Sequence, residues 1–407
     1  MRKKIVIVTT GQPSTNPRMV KEYQTLKRAG FEVIVLYSYW VDWAVKTDKI
    51  LFEKGDLDRN DFILIGGSPS HRRLQYWFSR IIHKVSRQMM GAWPGLFAAF
   101  AIARPAYFLW RASRKVKADL YMAHNLGALP PAVWAARKHK AAAGFDLEDL
   151  YSGQFDPSFD KMHATAVFLE KKFLPACNFL IAASPLIAEA YEPLVNRPIP
   201  VINNVFSKAF LHLPVKRVDK TLRLFWFSQT VGENRGLETI VQAIKLLPDY
   251  DIQFHVMGSC SDDFRQRLSN MAHNSEAIHF LPPVPADDLF SVAASYDIGM
   301  ASEVPHNENR DRCLTNKLFV YLTAGNCVLA SDTKAQRLFM EQHPGIGHLY
   351  GHNNPAELAG YLETFYNKPD YLQQCKQQAY ELAIEKYNWE SEEGLLMSQI
   401  RNIPGLS

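Results

Sequence analysis

The chain has 407 residues, of which 47% are hydrophobic and 21% are charged. This composition excludes an intrinsically disordered protein, and the length is too great for one ordinary hydrophobic core, so we expect two domains. A formal net charge of only +5 does not favour a protein that binds nucleic acid.

The cysteines indicate a reducing compartment. There are five, they are scattered along the chain, and none forms a CxxC motif: Cys177, Cys260, Cys313, Cys327 and Cys375. This usage argues against a disulfide framework and against a zinc site. No signal-peptide pattern follows the opening MRKK, and Arg104 interrupts the most apolar stretch, so we expect a cytoplasmic chain without a membrane span.

Short runs rich in β-branched or aromatic residues alternate with helix-compatible segments along the chain. This alternation predicts an α/β fold with parallel sheets covered by helices on both faces. The predicted strands of the first half are residues 4–10, 32–38, 61–66, 118–124, 141–148 and 178–184. Those of the second half are 222–228, 251–258, 277–284, 297–302 and 327–331. Residues 369–403 read as two helices broken near Asn388.

Each half opens on the same unit, a buried strand followed by a glycine-containing loop and a helix. KIVIVTT leads into the loop with Gly11, and LRLFWFS leads into the loop QTVGENRG. Such a unit presents free backbone N–H groups and a positive helix dipole to an anion. We therefore predict two Rossmann-like doubly wound domains that face each other across a cleft.

The junction between the domains falls in residues 196–221, which carry several prolines and the basic residues Lys216, Arg217 and Lys220. The predicted domains are 1–205 on the acceptor side and 206–387 on the donor side. The C-terminal helix, 388–407, is expected to pack back on the first domain.

The loop SQTVGENRG is the best single candidate for a diphosphate site. Gly232 and Gly236 allow close backbone approach, and Arg235 offers a guanidinium group. The alternative is a tight turn with a solvated arginine. Further along, Thr315 is a plausible N-cap, and Lys317 in the following turn opposes the helix dipole unless an anion lies between them.

Several segments resemble a family 4 retaining glycosyltransferase (glycosyltransferase group 1), which has the GT-B fold. FWFSQTVGENRGLETIVQA, HFLPPVPADDLFSVAASYDIGMA and TNKLFVYLTAGNCVLASD resemble its C-terminal domain. PSTNPRMVKEYQTLKRAGFEVIVLY and ADLYMAHNLGALPPAVWAARKHKAAAGFDLEDLY resemble its N-terminal domain. The resemblance covers nearly the whole chain, with its motifs in the expected order. It implies transfer of a sugar, with retention, from a nucleotide-diphosphate donor to a glycan or lipid-linked acceptor.

The resemblance also implies donor-site residues. In that family an Arg–Lys pair holds the diphosphate, and two glutamates with seven residues between them contact sugar and ribose. Here Arg235 stands at the lysine position and Thr230 at the arginine position, whereas Arg312 and Val320 replace the two glutamates. Glu303 is then the candidate carboxylate for the sugar. The remaining donor contacts would come from Asn309, Arg310, Asn316 and Lys317.

On the acceptor side, His124 matches the histidine that the family points at the donor sugar, which makes it the second candidate catalytic residue. The alternative is a capped histidine at a strand end. Glu148 and Asp149 stand where the family has His-Glu, either to orient an acceptor hydroxyl or as a structural acidic cluster. The first loop and helix contribute Gly11, Asn16 and Arg18 to this side.

We expect neither a cofactor nor a metal ion. No DxD-type Asp pair follows a strand, and the pairs Asp262-Asp263 and Asp287-Asp288 begin helices. A departing nucleoside diphosphate develops negative charge, which fixed cations and a helix terminus can stabilise in place of Mg²⁺.

The segment 72–117 is basic and aromatic. Between Asp61 and Asp119 there is no acidic residue, whereas ten Arg and Lys residues are interleaved with bulky apolar ones. This pattern predicts docking to an anionic membrane surface, and an ordinary core helix pair with exposed basic faces is the alternative. Membrane docking would make the protein peripheral on the inner face of the cell membrane. It would also favour a lipid-linked acceptor, as in the synthesis of bacterial capsule, exopolysaccharide or lipopolysaccharide.

Two other functions stay open at this stage. One is a nucleotide-sugar epimerase of the same architecture. The other is a non-catalytic partner subunit that binds nucleotide sugar, a reading that Arg312 and Val320 keep open because they replace the glutamate pair.

Overall fold

The structure, a computed structural model, describes residues 2–216, 219–272 and 277–406. Arg217 of the predicted junction lies outside the described residues. The chain divides into two compact units, which we call the N unit (Met1–Ile202 with Glu393–Ser407) and the C unit (Asn203–Glu392). Among the described residues, no helix combines the length and the apolar character needed to cross a bilayer.

In the N unit, residues 2–202 form six strands and eight α-helices. The strands are β1 (Lys4–Thr9), β2 (Glu32–Ser38), β3 (Phe62–Ile65), β4 (Leu120–His124), β5 (Ala142–Leu147) and β6 (Phe179–Ala182). The helices are α1 (Pro17–Arg28), α2 (Asp42–Glu53), α3 (Arg73–Met89), α4 (Pro94–Ala101), α5 (Ala106–Ser113), α6 (Leu129–His139), α7 (Lys161–Phe173) and α8 (Pro185–Val195).

The C unit repeats this arrangement. Its strands are β7 (Leu222–Val231), β8 (Ile252–Cys260), β9 (Ile278–Leu281), β10 (Ile298–Ala301), β11 (Cys327–Ser331) and β12 (Gly347–Tyr350). Its helices are α9 (Leu237–Lys245), α10 (Asp262–Met271), α11 (Asp288–Ala294), α12 (Glu308–Arg312), α13 (Asn316–Thr323), α14 (Lys334–Gln342), α15 (Pro355–Asn367) and α16 (Pro369–Glu385). The last helix, α17 (Trp389–Arg401), begins in the C unit and continues into the N unit.

Both sheets have the same strand order. The first is β3-β2-β1-β4-β5-β6 and the second is β12-β11-β10-β7-β8-β9, and the paired strands named in both run parallel. Numbered within its own unit, each sheet is therefore 3-2-1-4-5-6, the doubly wound order of the Rossmann fold. The predicted fold of two Rossmann-like domains is confirmed. The strand order reverses between β1 and β4 in the N unit and between β7 and β10 in the C unit, where such sheets bind ligands.

A strand lies in each of the eleven predicted segments, although some ends differ: β8 runs on to Cys260, and β9 ends at Leu281. Two further differences concern β7 and β12. Strand β7 runs on to Val231, so Gln229–Val231 belong to the strand and not to the predicted loop. After a bulge, Thr230 and Val231 resume pairing with β8, although Thr230 is exposed and gives no apolar signal. Strand β12 was not predicted, because its four residues, GHLY, lack the β-branched pattern and pair only at the sheet edge.

A glycine in β10 fixes the position of α13. The Tyr321 ring of α13 packs over Gly299, where a Cβ atom would lie 2.1 Å from the ring. The Tyr321 hydroxyl donates to the backbone oxygens of Phe225 and Met300, at 3.1 and 3.2 Å. This contact holds the second turn of α13 against β7 and β10.

We predict that Gly299→Ala destabilises the C unit, because the added methyl group overpacks a fully buried aromatic contact. A loss of about 1–3 kcal/mol in the free energy of unfolding is expected from urea denaturation. The matched control is Gly360→Ala in α15, where a Cβ meets nothing within 4 Å. This control should gain about 0.5–1 kcal/mol from helix propensity. Equal stability of the two variants would contradict the proposed packing constraint.

Candidate functional site

Four charged side chains meet at the carboxyl ends of β7 and β10 in the C unit. Glu303 lies two residues beyond β10 and is 2% exposed. The Lys317 ammonium group, in the first turn of α13, lies 2.6 Å from Glu303 Oε1. The Arg310 guanidinium group approaches Glu303 Oε2 at 3.8 Å, and Arg235 is close enough to shift the pKa of both Glu303 and Lys317. Three cations therefore face one carboxylate, which leaves the cluster with a net positive charge of two.

The pKa shifts follow from burial and from these neighbours. Burial alone would raise the pKa of Glu303, but Lys317, Arg310 and Arg235 outweigh it and lower that pKa below its ordinary value. Burial lowers the pKa of Lys317 against the attraction of Glu303, and repulsion from Arg235 and Arg310 acts in the same direction. An added anion would relieve the repulsion between these cations, so the cluster is suited to bind one.

The backbone beneath the cluster is tightly fixed. The Ser331 hydroxyl at the end of β11 accepts from Glu303 N and donates to Glu303 O, both at 2.7 Å. Gln336 in turn donates its amide to the backbone oxygen of Ser331 at 2.8 Å. Below the ammonium group, the Trp226 ring of β7 lies 5.2 Å from Lys317 Nζ, a cation–π distance. The carboxylate and the ammonium group are thus held in place without a ligand.

Gly236 determines the path of the loop that carries Arg235. Its φ angle is +72°, and a Cβ would lie 2.3 Å from the Ser302 hydroxyl. That hydroxyl donates to the backbone oxygen of Arg235 at 2.8 Å, which ties the loop after β7 to the end of β10. Gly232, by contrast, has open space where a Cβ would be. Among the described residues, no hydrogen bond or salt bridge engages the Arg235 side chain, so its guanidinium group can bind a ligand.

The two predicted asparagines flank the cluster. Asn309 is buried in α12 and accepts from the Cys313 thiol, so it supports the short helix that carries Arg310. Asn316 opens α13 and accepts from the Asn204 amide at 2.8 Å. Thr315 is the N-cap residue of α13, but its hydroxyl makes no capping hydrogen bond.

A second buried cluster lies at the carboxyl ends of β4 and β5 in the N unit. The Arg18 guanidinium group forms two hydrogen bonds with the Asp146 carboxylate, at 2.5 and 2.9 Å, and a third with the backbone oxygen of Ile202. His124 Nδ1 lies 2.8 Å from Glu148 Oε1, and Nε2 lies 3.1 Å from Glu22 Oε2. The contact between His124 and Glu22 is an ion-pair approach outside hydrogen-bond geometry. Both imidazole nitrogens therefore face carboxylates.

These contacts set the charge of the cluster. Burial would lower the pKa of His124, but Glu22 and Glu148 outweigh it and raise that pKa to about 10. Burial, and then the charge of Asp146, raise the pKa of Glu22 to about 7, against the opposing effects of His124 and Arg18. The raised pKa favours the imidazolium form of His124, in which both ring nitrogens carry protons and neither can act as a base.

The exposed fraction of each side chain shows which members of this cluster a ligand could reach. Arg18 and His124 are 1% and 0% exposed, so in this state they position other groups. Glu148, at 19% side-chain exposure, is the member that reaches the surface. The Asn16 amide donates to the same Glu148 oxygen at 2.6 Å while Asn16 caps α1.

The two remaining residues predicted for the acceptor side are Gly11 and Asp149. The backbone oxygen of Gly11, in the loop after β1, accepts a hydrogen bond from Ser38 N. Asp149 is half-buried.

Glu22 and Asp146 are members of this cluster that were not predicted as site residues. Glu22 lies four positions after Arg18 on α1, a spacing that usually marks a surface pair. Asp146 interrupts the apolar run of β5, and a charge inside a buried strand is the signal that could have identified it.

Glu22, His124 and Asp146 also place three ligand atoms within 4.8 Å of one another, a spacing that could suit a metal ion. Arg18 already occupies both oxygens of Asp146, and the raised pKa of His124 favours an imidazolium, which has no free lone pair for a metal. A divalent ion would have to displace a proton and lie beside a guanidinium group, so the donor set fits a metal poorly.

The comparisons agree with this description of the fold. Residues 234–393 match the model of a family described as "Glycosyl transferase-like". HepE from Anabaena, crystallised with UDP and with UDP-glucose, superposes with a TM-score of 0.70 at 15% identity, over 98% of this chain and 100% of HepE. A sucrose-phosphate synthase from Thermosynechococcus elongatus gives 0.67 at 14% identity, over 100% of both chains. TarM from S. aureus gives 0.68 at 11% identity, over 98% of this chain and 99% of TarM.

No curated protein sequence matches this chain. The predicted resemblance to a glycosyltransferase of the GT-B fold is nevertheless confirmed by the family match and by these structural neighbours.

We predict that Gly236→Ala disturbs the cationic cluster whereas Gly232→Ala does not. Alanine at 236 must adopt a positive φ and displace Ser302, at a cost of about 1–3 kcal/mol in the free energy of unfolding. Calorimetric titration with inorganic pyrophosphate, the anion that the loop is predicted to bind, should show weaker binding for Gly236→Ala and wild-type affinity for Gly232→Ala. Equal pyrophosphate affinity in the two variants would refute the role of this loop.

The N-unit cluster gives a prediction for pH. Glu22 and His124 hold protons in the folded chain up to about pH 7 and 10, against ordinary values of 4.5 and 6.5. Because both pKa values are raised, the stability they contribute is present at low pH and is lost as the pH rises through this range. Glu22→Gln removes the titrating Glu22 carboxyl group. It also removes the main charge that raises the pKa of His124.

Urea denaturation between pH 5 and 10 should therefore show a shallower loss of stability for Glu22→Gln than for the wild type. The control is Glu189→Gln, at an exposed glutamate of α8, which should follow the wild-type curve. Parallel curves for the wild type and Glu22→Gln would contradict the charge assignment.

Proposed function

We propose that this chain, whose residues 234–393 match the glycosyl transferase-like family, transfers a sugar from a nucleoside diphosphate donor bound to its C unit. The observation that carries the proposal is the cluster of Arg235, Arg310 and Lys317 around Glu303. The cluster lies where the strand order of the C-unit sheet reverses, between β7 and β10. A doubly wound sheet binds its ligand at this position.

A diphosphate fits the charge of the cluster. Its two or three negative charges match a net of two positive charges, and the N-termini of α9 and α13 lie at the same strand ends. Arg235 supplies a guanidinium group without a protein partner among the described residues, and Arg310 supplies one that is one-third exposed. These two arginines are the groups available to bind phosphate oxygens directly.

Lys317 has a different role. Its ammonium group is paired with Glu303, and the side chain is almost completely buried. Lys317 therefore adds positive electrostatic potential at the phosphate site without touching the ligand. Glu303, at 2% exposure, keeps that charge in place and turns its second oxygen towards Arg310. We assign Glu303 to orienting Lys317 and Arg310, and not to proton transfer, because its lowered pKa keeps it ionised. The predicted sugar contact would require this carboxylate to become exposed.

The reaction would proceed on one face of the sugar. The bond between the anomeric carbon and the diphosphate oxygen breaks, and its electron pair goes to the departing diphosphate. The acceptor oxygen bonds to the anomeric carbon on the same face and releases its proton to the diphosphate, so the configuration is retained. The cationic cluster stabilises the developing negative charge, a task that Mg²⁺ performs in other phosphate sites. We therefore propose a metal-independent reaction.

The N unit supports the acceptor side of this proposal. His124 is held as an imidazolium by carboxylates on both nitrogens, and it fixes the Glu148 carboxylate close to the surface. Glu148 is then the group that can accept a hydrogen bond from an acceptor hydroxyl. A glycan or lipid-linked acceptor, and a role in bacterial surface polysaccharide synthesis at the inner face of the membrane, fit the basic aromatic segment 72–117.

We expect Arg235→Met to bind nucleoside diphosphates at least about tenfold more weakly, because a charge-assisted phosphate contact is lost. Calorimetry with UDP, GDP, ADP and dTDP measures the effect and identifies the base. Lys245→Met is the matched control, since this exposed cation lies at the opposite end of the same helix, α9. Unchanged UDP, GDP, ADP and dTDP affinity in Arg235→Met would refute the diphosphate assignment.

Product analysis with nucleotide sugars separates the proposed activity from its alternatives. A transferase releases nucleoside diphosphate and forms an α- or β-linked product whose anomeric configuration, by NMR, equals that of the donor. An epimerase would change the donor sugar itself, and a binding subunit would retain the donor without turnover. Either of these two outcomes would overturn the proposal.

A further inference from the structure

Helix α3 is amphipathic, but its apolar face points away from the N unit. Leu74 is 88% exposed, Trp77 54% and Ile81 58%, and Phe78 and Val85 are also exposed. The residues that α3 buries are Tyr76, Ser79 and Ser86. A core helix of an isolated globular domain buries its large aliphatic and aromatic side chains, so this orientation is the reverse of the usual one.

The buried side of α3 is fixed by polar contacts. The Arg104 guanidinium group donates to Ser79 Oγ at 2.7 Å and to the backbone oxygens of Gly66 and Tyr39. His83 contacts the backbone oxygen of Ala101 at 2.9 Å. These contacts set which side of α3 faces outward.

The outward surface has two adjoining stripes. At about 100° per residue, the five exposed apolar side chains fall within an arc of about 100° and extend over about 17 Å of helix. The four basic side chains of α3 all lie on one flank of this arc: Arg73, Arg80, Lys84 and Arg87. Arg80 stacks on the Trp77 ring at 5.4 Å, where the two stripes meet.

The exposed apolar surface continues at α4, which packs on α3: Trp93, its N-cap residue, and Leu96, within the helix, are both exposed. Leu96 also lines an open groove of about 640 Å³ with an aromatic floor of Phe100, Trp110 and Trp134. Arg114 and Arg137 lie at the same groove, and Arg114 stacks on Trp110 at 5.2 Å.

We propose that α3 is the membrane-docking element of this protein and lies in the headgroup region of an anionic bilayer. The apolar stripe enters the boundary between headgroups and acyl chains, and the basic flank binds lipid phosphates. An anionic bilayer is favoured over a protein partner because residues 62–118 contain ten cations and no acidic residue. The inference extends the proposed function by naming the surface that meets the lipid, but it does not depend on sugar transfer.

The test is sedimentation of the full chain with vesicles of phosphatidylcholine alone or with one quarter phosphatidylglycerol, at low and high salt. We expect retention on the anionic vesicles at low salt and much less on the neutral ones. The double variant Trp77→Ser and Ile81→Ser should lose at least about tenfold in vesicle affinity, and Arg80→Gln with Lys84→Gln should reduce the salt dependence.

Leu213→Ser with Leu395→Ser is the matched control, since both leucines are exposed and lie outside segment 72–117. This control should bind vesicles as the wild type does. All variants should bind UDP like the wild type, so failure to bind lipid is distinguishable from failure of the donor site. The proposal is overturned if the wild type stays in solution, or if the α3 variant and the control bind equally.

Analytical ultracentrifugation without lipid addresses self-association through the same surface. A wild-type dimer that becomes monomeric in Trp77→Ser with Ile81→Ser would assign the stripe to a second copy of the chain and overturn the membrane proposal. A monomer in both cases supports it.

Discussion

The buried ion pair between Glu303 and Lys317 is the interaction on which the candidate donor site depends. Removing either charge from water costs several kcal/mol unless the other stays beside it. The pair therefore requires that the end of β10 and the start of α13 keep their mutual distance. Ser331 and the Tyr321–Gly299 contact fix this distance from two sides. Arg235 and Arg310 then find a carboxylate to neutralise part of their repulsion, and an excess of positive charge is left for a ligand.

The two units share a topology but differ in the sign of their charge clusters. In the C unit, three cations surround one carboxylate. In the N unit, Arg18 and His124 face Glu22, Asp146 and Glu148, so carboxylates outnumber cations. In the N-unit cluster, Arg18 bonds Asp146 and the backbone oxygen of Ile202, but the Glu22 carboxylate has no hydrogen bond among the described residues. In the C-unit cluster, the unpaired group among the described residues is the Arg235 guanidinium. The same strand order therefore carries a cluster with excess positive charge in one unit and a cluster with excess carboxylates in the other.

Helix α3 adds a constraint of a different kind. On its buried face, the Ser79 hydroxyl accepts a hydrogen bond from Arg104, whereas its large apolar side chains are exposed to solvent. Apolar surface of this extent in water costs free energy that a second phase can recover. An anionic bilayer is the phase that we propose for this surface, and it would be consistent with the proposed lipid-linked acceptor.

Sequence periodicity was sufficient for the fold. Eleven of the twelve strands and the break between α16 and α17 follow from runs of buried residues and from breakers, because these signals are local. Polar residues that follow strands collect at one sheet edge, so the residues after β7 and β10 were expected to lie close together. Glu303, Arg310, Lys317 and Arg235 do lie together there, but Glu303 and Arg310 were chosen from the family resemblance, and the roles of all four stay predictions. The extension of β7 to Val231 was missed because it depends on pairing with β8 and not on apolar residues.

Other features were decided by tertiary structure alone. The sequence placed Arg18, His124 and Glu148 near a site, but Glu22 and Asp146 joined them only because α1, β4 and β5 meet in space. The charge of His124, and the pairing of Lys317 with a carboxylate fourteen positions away, likewise depend on distance and burial. The composition of segment 72–117 allowed either a core helix or a lipid surface. Only the fold settled which face of α3 is outside, because Arg104 is satisfied on the face that carries Ser79. Periodicity specifies that a helix has two faces, and packing decides which of them the protein buries.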